Sequence, residues 1–301
     1  MDRLDSMRIY LRVAELGSFA AVARQLDVAR SVITRQVAAL EAHLGVKLIA
    51  RSTRSLMLTS AGSAYLERCR EILNLVEAAE AGLADERQEP RGLIRLSVPL
   101  SFGLRHLSPL LMDFNVTYPD VVTEIDFTDR RVKLVDEGLD LAIRITRRLD
   151  PLDVARRIGS SRLQAIASPD YLRRHGEPKH PRELAEHECL IYLPAQHEGW
   201  PFLVNGATEI FTVRGRMRAN NGDALLDAAM RGLGITAQPT FISAAAIEAG
   251  WVRPILTDYP MPELGIYALL SGNRYVPQRV RVLVDYLAER IGSRPYWEGA
   301  S

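Results

Sequence analysis

Residues 18–44 read SFAAVARQLDVARSVITRQVAALEAHL, and the spacing of apolar residues in this stretch predicts two short helices joined by a tight turn. Ser18 is a residue type that caps helix N-termini, and the first helix is expected to end near Asp27. The apolar stripe of the first helix is formed by Phe19, Val22, Ala23 and Leu26, and that of the second by Ile33, Val37, Leu40 and Leu44. The pattern is that of a helix-turn-helix.

The opposite face of the second helix carries small, hydroxylic and basic side chains. They are Ser31, Thr34, Arg35 and Ala38, with Arg30 in the first turn. Small side chains would let this helix enter the major groove of duplex DNA, and the arginines would supply positive charge. On periodicity alone, a two-helix piece of an ordinary all-α core explains the pattern about equally well.

The residues that follow favour the DNA-binding interpretation. The run VKLIARSTRSLMLTSAG at 46–62 places Arg51 and Arg54 among serine and threonine residues, between segments of alternating apolar residues. This pattern predicts a two-stranded wing whose basic, hydroxyl-rich tip is suited to phosphate contacts.

Residues 28–62 match the spacing VxRSxxTRQVxxLExxLGVxLxxRxTRxxxLTxAG, and this stretch resembles the winged helix-turn-helix of the LysR-type transcriptional regulators. It departs from the family at Ala29, where a serine or threonine helix cap is usual, and at Arg30, where glutamine or proline is more frequent. The first departure removes about 1 kcal/mol of helix capping. The second bears on base preference.

The resemblance implies two sets of DNA contacts. The residues assigned to base edges are Arg30, Ser31 and Val32. Those assigned to phosphates are Thr34, Arg35, Arg51, Thr53 and Arg54. The chain has 301 residues and a formal net charge of only +1, but residues 1–60 hold nine basic against five acidic side chains, a local excess of +4. The positive charge is therefore concentrated in the region expected to touch DNA.

The 47% hydrophobic content allows real cores, and the two cysteines argue for a reducing compartment. Cys69 and Cys189 have no CxxC or metal-ligand spacing, so we expect unpaired thiols that serve as small packing residues. The N-terminus shows no signal-peptide pattern, and no apolar run approaches the roughly 20 residues that cross a bilayer. We expect a cytoplasmic protein without membrane contact.

Residues 59–88 predict a long polar helix capped by Thr59. Its apolar residues repeat every 3.5 positions, as in a coiled-coil seam: Tyr65, Cys69, Ile72, Val76, Ala79 and Leu83. So narrow a stripe can also pack against its own domain. In the family this segment is the linker helix that pairs two subunits, which implies a homodimer, or a tetramer of paired dimers. A supporting helix over residues 2–16 precedes the helix-turn-helix.

Beyond the turn-rich EPRG at 89–92, predicted strands alternate with helices, including a short helix in VKLVDEG at 132–138. This order argues for parallel sheets with helices on both faces. The region resembles the two-lobed, periplasmic-binding-protein-like α/β effector domain of the same family. The predicted organisation is a winged helix-turn-helix domain dominated by helices (1–58), a linker helix (59–89), an effector domain (90–292) and a tail (293–301). Within the effector domain, lobe 1 spans about 91–161 and 268–292, and lobe 2 about 162–267.

In such folds, ligands bind beyond the carboxyl ends of the strands, near helix N-termini. The candidate effector contacts are Ser101, Phe102, Thr128, Arg144, Asn221 and Asp223. For Ser101, Asn221 and Asp223, plain helix capping explains the residue types about as well. Arg144 could instead form a salt bridge at the cleft mouth. If it faces the cleft, an anionic effector is favoured, because guanidinium binds carboxylates in a bidentate manner.

An enzyme is the less favoured class, because GxSxG, P-loop, GxGxxG and HExxH motifs are all absent from the sequence. The histidines fall at no metal-ligand spacing: His43, His106, His175, His180, His187 and His197. We therefore expect no catalytic residues, no metal and no cofactor. The expected function is a DNA-binding regulator modulated by a small molecule. The alternative is a small-molecule sensor whose N-terminal helices mediate protein association.

Overall fold

A computed structural model describes residues 2–51, 56–81, 89–194, 199–270, 276–292 and 295–299. The chain forms two compact units. The first comprises residues 1–89 with segments 135–138 and 273–278, and the second comprises 90–134, 139–272 and 279–301.

The first unit contains the predicted helix-turn-helix and both strands of the wing. Its elements are α1 (Arg3–Leu16), α2 (Phe19–Gln25), α3 (Arg30–Leu44), β1 (Ile49–Arg51), β2 (Leu56–Leu58) and α4 (Ser60–Ala81). Ser18 caps α2 by accepting a hydrogen bond from the Ala21 amide, as expected. The strands β1 and β2 pair antiparallel, with Ile49 opposite Leu58 and Arg51 opposite Leu56.

A single apolar core holds these elements together. The predicted stripes of α2 and α3 face it, with Val22, Ala23, Ile33, Val37 and Leu40 buried. Behind them, α1 contributes Tyr10, which is fully buried and donates a hydrogen bond from its hydroxyl to the Gly62 carbonyl at 2.9 Å. Because α1 packs against both α3 and α4, the unit is one packed body.

The apolar stripe of α4 is divided between two environments, which corrects the prediction of a continuous seam. Cys69 is fully buried in the core of its own unit and Tyr65 packs against that core. Ile72 and Leu75, by contrast, are 37% and 41% exposed. The first turns of α4 therefore pack within the subunit, because their apolar side chains complete the core formed by α1, α2 and α3. The side chain of Ala79 and all of Leu83 lie outside the described residues.

Among the residues that the structure describes, the second unit contains two five-stranded sheets. The first has the order β4-β3-β5-β14-β6, formed by β3 (Gly92–Val98), β4 (Val121–Phe127), β5 (Leu141–Thr146), β6 (Val154–Ser161) and β14 (Leu264–Leu270). The second has the order β11-β8-β12-β7-β13, formed by β7 (Leu163–Ala167), β8 (Cys189–Tyr192), β11 (Arg218–Ala219), β12 (Ile235–Pro239) and β13 (Arg253–Pro254). A separate antiparallel hairpin joins β9 (Trp200–Val204) to β10 (Ala207–Phe211).

The expectation of parallel sheets is wrong, because both sheets are mixed. In the first sheet β3 is parallel to β4 and β5, but β14 runs antiparallel to β5 and β6. In the second sheet β12 is parallel to β8 and antiparallel to β7. The chain passes between the sheets twice, at Arg162 and again over residues 255–263. The strand that follows each passage, first β7 and then β14, runs antiparallel to the strands beside it.

Helices cover the sheets. Their bounds are α5 (Leu100–Phe102), α6 (Ser108–Thr117), α7 (Pro169–His175), α8 (Gly222–Met230), α9 (Thr240–Glu248) and α10 (Gln278–Ile291). A π-helical turn, Gly103–Leu107, links α5 to α6. The predicted buried face of α10 is confirmed in full: Val280, Leu283, Val284, Leu287 and Ile291. The predicted helix at 132–138 is wrong, because this segment forms turns in which Gly138 has a φ of 62°.

Candidate DNA-binding surface and effector cleft

The outer face of α3 is exposed as its sequence predicts. Arg30, Ser31, Thr34 and Arg35 are all exposed, and Val32 is half-buried. The Thr34 hydroxyl donates to the Arg30 carbonyl at 3.0 Å, so its oxygen remains able to accept a further hydrogen bond. Helix α3 therefore presents two guanidinium groups and two hydroxyls along one side.

The start of α3 is uncapped by a side chain. Ala29 occupies the N-cap position in extended conformation and makes no side-chain cap hydrogen bond, as the sequence predicts. Asp27, in the turn between α2 and α3, has a positive φ of 51°, a conformation that aspartate tolerates better than most residues. No side chain at the N-cap position therefore accepts from the amides of the first turn of α3, although the Val32 amide donates to the Ala29 carbonyl at 2.9 Å.

Glu41 joins the base of the wing to α3. This carboxylate is buried, and it accepts hydrogen bonds from the amides of Leu48 at 2.9 Å and Ile49 at 3.1 Å and from Lys47 Nζ at 2.6 Å. Burial acts to raise the pKa of Glu41, but these hydrogen bonds outweigh it, so the pKa lies below its ordinary value. Arg51 lies at the end of β1, while Thr53 and Arg54 lie outside the described residues.

The carboxyl end of β3 leads directly into α5, and the residue that caps this helix was missed at the sequence level. Asp129 Oδ1 accepts a hydrogen bond from the Leu100 amide at 3.2 Å, whereas Ser101 lies inside the helix and does not cap it. Burial raises the pKa of Asp129, although the Leu100 amide and Arg144 act in the opposite direction. An aspartate directly after Thr128 at the end of β4 is the sequence signal that could have indicated it.

Residues at the start of α8, a helix beside the second sheet, contact α5 and the π-helical turn that follows it. Asn221 caps α8 by accepting from the Ala224 amide at 3.1 Å, and its Nδ2 donates to Ser101 Oγ at 3.4 Å. Asp223 pairs with Arg105, with 2.5 Å between Oδ1 and Nη2. Asn221 therefore both caps its own helix and contacts Ser101 in α5, and Asp223 contacts the turn that follows α5.

The remaining predicted effector residues differ in their surroundings. Phe102 is fully buried among aromatic rings. Thr128 is half-buried, and its Oγ1 accepts from the Arg130 amide at 3.3 Å. Arg144 is half-buried and donates to Ser97 Oγ at 2.9 Å and to main-chain carbonyls, including that of Ile143 at 2.6 Å.

Tyr192, at the carboxyl end of β8, was also missed. Burial, together with the charge of Asp129, raises its pKa to about 12, so the phenol is neutral at physiological pH and can donate a hydrogen bond. The rule that ligands bind beyond strand ends, applied to CLIYL in the second lobe, would have indicated this residue.

The two thiols are confirmed as packing residues. Cys69 and Cys189 are free and buried. Burial raises the pKa of Cys69 to about 11 and that of Cys189 to about 12. Among the residues that the structure describes, no group of three or more His, Cys, Asp or Glu side chains could hold a metal ion. Within the same residues, no helix has both the length and the apolar character required to cross a lipid bilayer.

Comparison with protein families accounts for both units. Residues 4–63 match the family model described as the bacterial regulatory helix-turn-helix protein, lysR family, and residues 87–292 match the LysR substrate binding domain. The chain belongs to the LysR family of transcriptional regulators. It carries a DNA-binding helix-turn-helix and an effector-binding domain, as the resemblance predicted.

Relatives of this LysR regulator match it over nearly its whole length. An HTH-type transcriptional regulator of Xanthomonas campestris pv. campestris is 34% identical over 293 residues, covering 96% of this chain and 85% of the relative. The regulator CrgA of Neisseria meningitidis serogroup C is 31% identical over 291 residues, covering 96% and 97%. A solved structure of CrgA from Neisseria meningitidis, a LysR-type transcriptional regulator, superposes with a TM-score of 0.62 at 30% identity, covering 96% of this chain and 99% of that one. Nothing in these likenesses supports the alternative of a sensor whose N-terminal helices serve protein association.

Proposed function

We propose that this LysR regulator reads DNA with the exposed face of α3 and with the wing, and that it works by binding rather than by catalysis. The observation that carries the proposal is the exposure of Arg30, Ser31, Thr34 and Arg35 on one side of a helix whose other side is buried. Base edges are contacted by Arg30, Ser31 and Val32. Phosphates are contacted by Thr34, Arg35, Arg51, Thr53 and Arg54. The DNA-binding domain spans residues 1–58.

A gel shift with the DNA upstream of its own gene tests the proposal. The full chain should retard this fragment at concentrations that leave a scrambled duplex of equal length unshifted. Specific regulators bind their sites at least about a thousandfold more tightly than other DNA, so the contrast is large. Equal retardation of both duplexes would contradict sequence-specific reading by α3.

Arg35→Ala is expected to weaken binding to all duplexes alike. Losing one phosphate contact lowers the slope of log affinity against log salt by about one unit. The measurement is a salt titration of binding, by fluorescence anisotropy, with both specific and scrambled DNA. Arg12→Ala, which removes an exposed arginine from α1, is the matched control and should leave the slope unchanged. An unchanged slope in Arg35→Ala would remove this residue from the phosphate contacts.

Arg30→Ala is expected to change specificity rather than overall affinity. An arginine that donates to one base pair discriminates against the wrong base by about 1–3 kcal/mol, so preference at a single position should relax. Selection of bound sequences from a random library measures it. A selected motif identical to that of the wild type would exclude base reading by Arg30.

We propose that the exposed part of α4 pairs two subunits into a homodimer, within a linker helix spanning 59–89. Support comes from Ile72 and Leu75, two large apolar side chains exposed side by side on a helix whose Leu66, Cys69 and Leu73 are buried in the subunit's own core. Pairing would present two reading helices to half-sites about 34 Å apart, or a multiple of that distance. Paired dimers would form a tetramer.

Ile72→Asp is therefore expected to break the dimer, because it places a charge in an apolar contact. Sedimentation velocity of the full chain should show a species of half the mass. Ser63→Asp adds the same charge at an exposed position near the start of α4 and should sediment as the wild type. A dimeric Ile72→Asp chain would show that the subunits pair through another surface.

For the effector domain, 90–292, we propose that a small molecule binds near Ser101, Thr128, Asn221 and Asp223, between lobe 1 and lobe 2. The lobe boundary predicted between 267 and 268 falls inside β14 (Leu264–Leu270), which belongs to the first sheet, so lobe 1 takes in the whole of this strand. The anionic character of the effector stays a prediction. Arg144 already donates to Ser97 and to main-chain carbonyls, so an anion bound there would share a guanidinium group that already has hydrogen-bond partners. A screen of small carboxylates for a rise in the melting temperature of the full chain tests whether the effector is an anion. The substitution Ser101→Ala, within the proposed site, should abolish any rise.

A further inference from the structure

Residues 295–299 form hydrogen bonds with the chain at the point where it passes from one sheet to the other. Arg162 alone separates β6 of the first sheet from β7 of the second. Glu298 accepts from the Arg162 amide at 2.9 Å and from its Nε at 2.5 Å, and the Glu298 carbonyl accepts from Nη2 at 2.7 Å. Both the main chain and the side chain of the crossover residue are therefore held by one carboxyl-terminal residue.

The same glutamate also reaches the second lobe. Its Oε1 accepts from the Thr240 hydroxyl at 2.5 Å, and Thr240 in turn lies 2.7 Å from Ser161 Oγ at the end of β6. The Thr240 amide donates to the Arg162 carbonyl at 2.9 Å. The start of α9 and the crossover are thus joined in one hydrogen-bond network centred on Glu298, of which Thr240 and Ser161 are buried while Arg162 is exposed.

Trp297 and Tyr296 extend the contact to the first lobe. Trp297 is only 5% exposed, its ring lies edge-on to Phe102 at 5.5 Å, and its Nε1 donates to the Ser160 carbonyl at 3.3 Å. Its ring centroid is 4.6 Å from that of His106. Tyr296 OH and His106 Nδ1 are hydrogen-bonded, and His106 Nε2 bonds to the Phe241 carbonyl at 2.9 Å.

These contacts link lobe 1, the crossover and lobe 2 through three consecutive residues. Phe102 follows Ser101 directly, so the segment also supports the helix turn that faces the proposed effector cleft. We propose that residues 295–299 form a latch that holds the two lobes in one arrangement, and that releasing it frees the lobes to move about the Arg162 crossover. Any signal that requires lobe movement must overcome this latch.

The test compares Glu298→Ala and the milder Glu298→Gln in the full chain. The matched control is Glu177→Ala, which removes a carboxylate bound by both Nη atoms of Arg253 within lobe 2 alone. Spin labels at Leu152→Cys in the first lobe and Leu233→Cys in the second, both exposed, report the distance between lobes. Labelled chains are diluted with unlabelled ones so that only distances within a chain are recorded.

We expect one narrow distance distribution for the parent and for Glu177→Ala, a broadened or shifted one for Glu298→Ala, and a smaller change of the same kind for Glu298→Gln. Amide hydrogen exchange at Arg162, Thr240 and Phe241 should accelerate about tenfold or more in Glu298→Ala, because hydrogen bonds to charged groups are the stronger ones. Distance distributions that superpose for all variants would overturn the latch. So would exchange that rises uniformly across both lobes, since that would reveal a general contribution to stability.

Discussion

Gly62→Ala is expected to destabilise the DNA-binding unit by about 3 kcal/mol and to abolish binding to DNA, because α4 crosses the base of the wing without room for a side chain. A Cβ at this position would lie 2.0 Å from the Leu48 carbonyl oxygen and 3.0 Å from the Tyr10 hydroxyl. The nearest obstacle is the backbone of Leu48, directly before β1, so the base of the wing must move away from α4. Thermal unfolding followed by circular dichroism, together with the gel shift, measures both effects.

Gly17→Ala provides the matched control for Gly62→Ala. It adds the same methyl group in the same unit, at a position where none of the described residues beyond its chain neighbours has an atom within 4 Å of the new Cβ. The left-handed backbone of Gly17 costs an alanine about 1 kcal/mol, so the control should be only mildly destabilised and should still bind DNA. If both variants melted and bound alike, the close approach of α4 to Leu48 would be refuted.

Glu41→Ala should be the second large effect, a loss of about 3 kcal/mol in the free energy of unfolding. It leaves the Leu48 and Ile49 amides without their acceptor, and Leu48 is fully buried. Glu41→Gln keeps an oxygen that can accept but loses the charge, so it should fall between Glu41→Ala and the wild type. Urea unfolding of the full chain and hydrogen exchange at the two amides measure the loss. Wild-type protection of these amides in Glu41→Ala would show that the carboxylate does not hold the wing.

The contribution of Glu41 should also depend on pH. Its pKa is lower in the folded chain than its ordinary value of 4.5, so the stabilisation is complete above that value and is lost as the pH falls through the folded-state pKa. Acid should therefore loosen the wing in the wild type but have a smaller effect on Glu41→Gln, which has no proton to gain at this position.

The helix-turn-helix could be predicted from sequence because its determinants are local. A capping serine at position 18, the apolar spacing of α2 and α3, and the glycine that ends α3 each act over a few neighbouring residues. The same reasoning correctly placed the buried face of α10. It failed at residues 132–138, where the spacing suits a helix but Gly138 adopts a positive φ and the chain forms turns instead.

The direction of the strands was predicted wrongly because it depends on pairing between segments that are far apart in the sequence. Strand β14 joins β5 and β6 from more than a hundred residues away, and no local pattern states that it runs antiparallel. The β9–β10 hairpin, however, could have been found. Asn205 and Gly206 both have positive φ, and Asn-Gly between apolar runs is the strongest short-range hairpin signal.

The division of the stripe on α4 required a structure for a different reason. Periodicity shows that Tyr65, Cys69 and Ile72 lie along one side of the helix, but not which of them the subunit covers itself. The answer depends on Tyr10 and the rest of the core, which come from far earlier in the sequence. Similarly, the tail residues 295–299 show no period, and their role is visible only in their contacts with Arg162 and Thr240.

Because Leu66, Cys69 and Leu73 are embedded in the core beside α3, the near end of α4 cannot rotate separately from the reading helix. The first turns of α4 and helix α3 therefore move as one rigid body. A rotation of the part of α4 that carries these three residues therefore rotates α3 with it, together with the exposed arginines and hydroxyls on the outer face of α3.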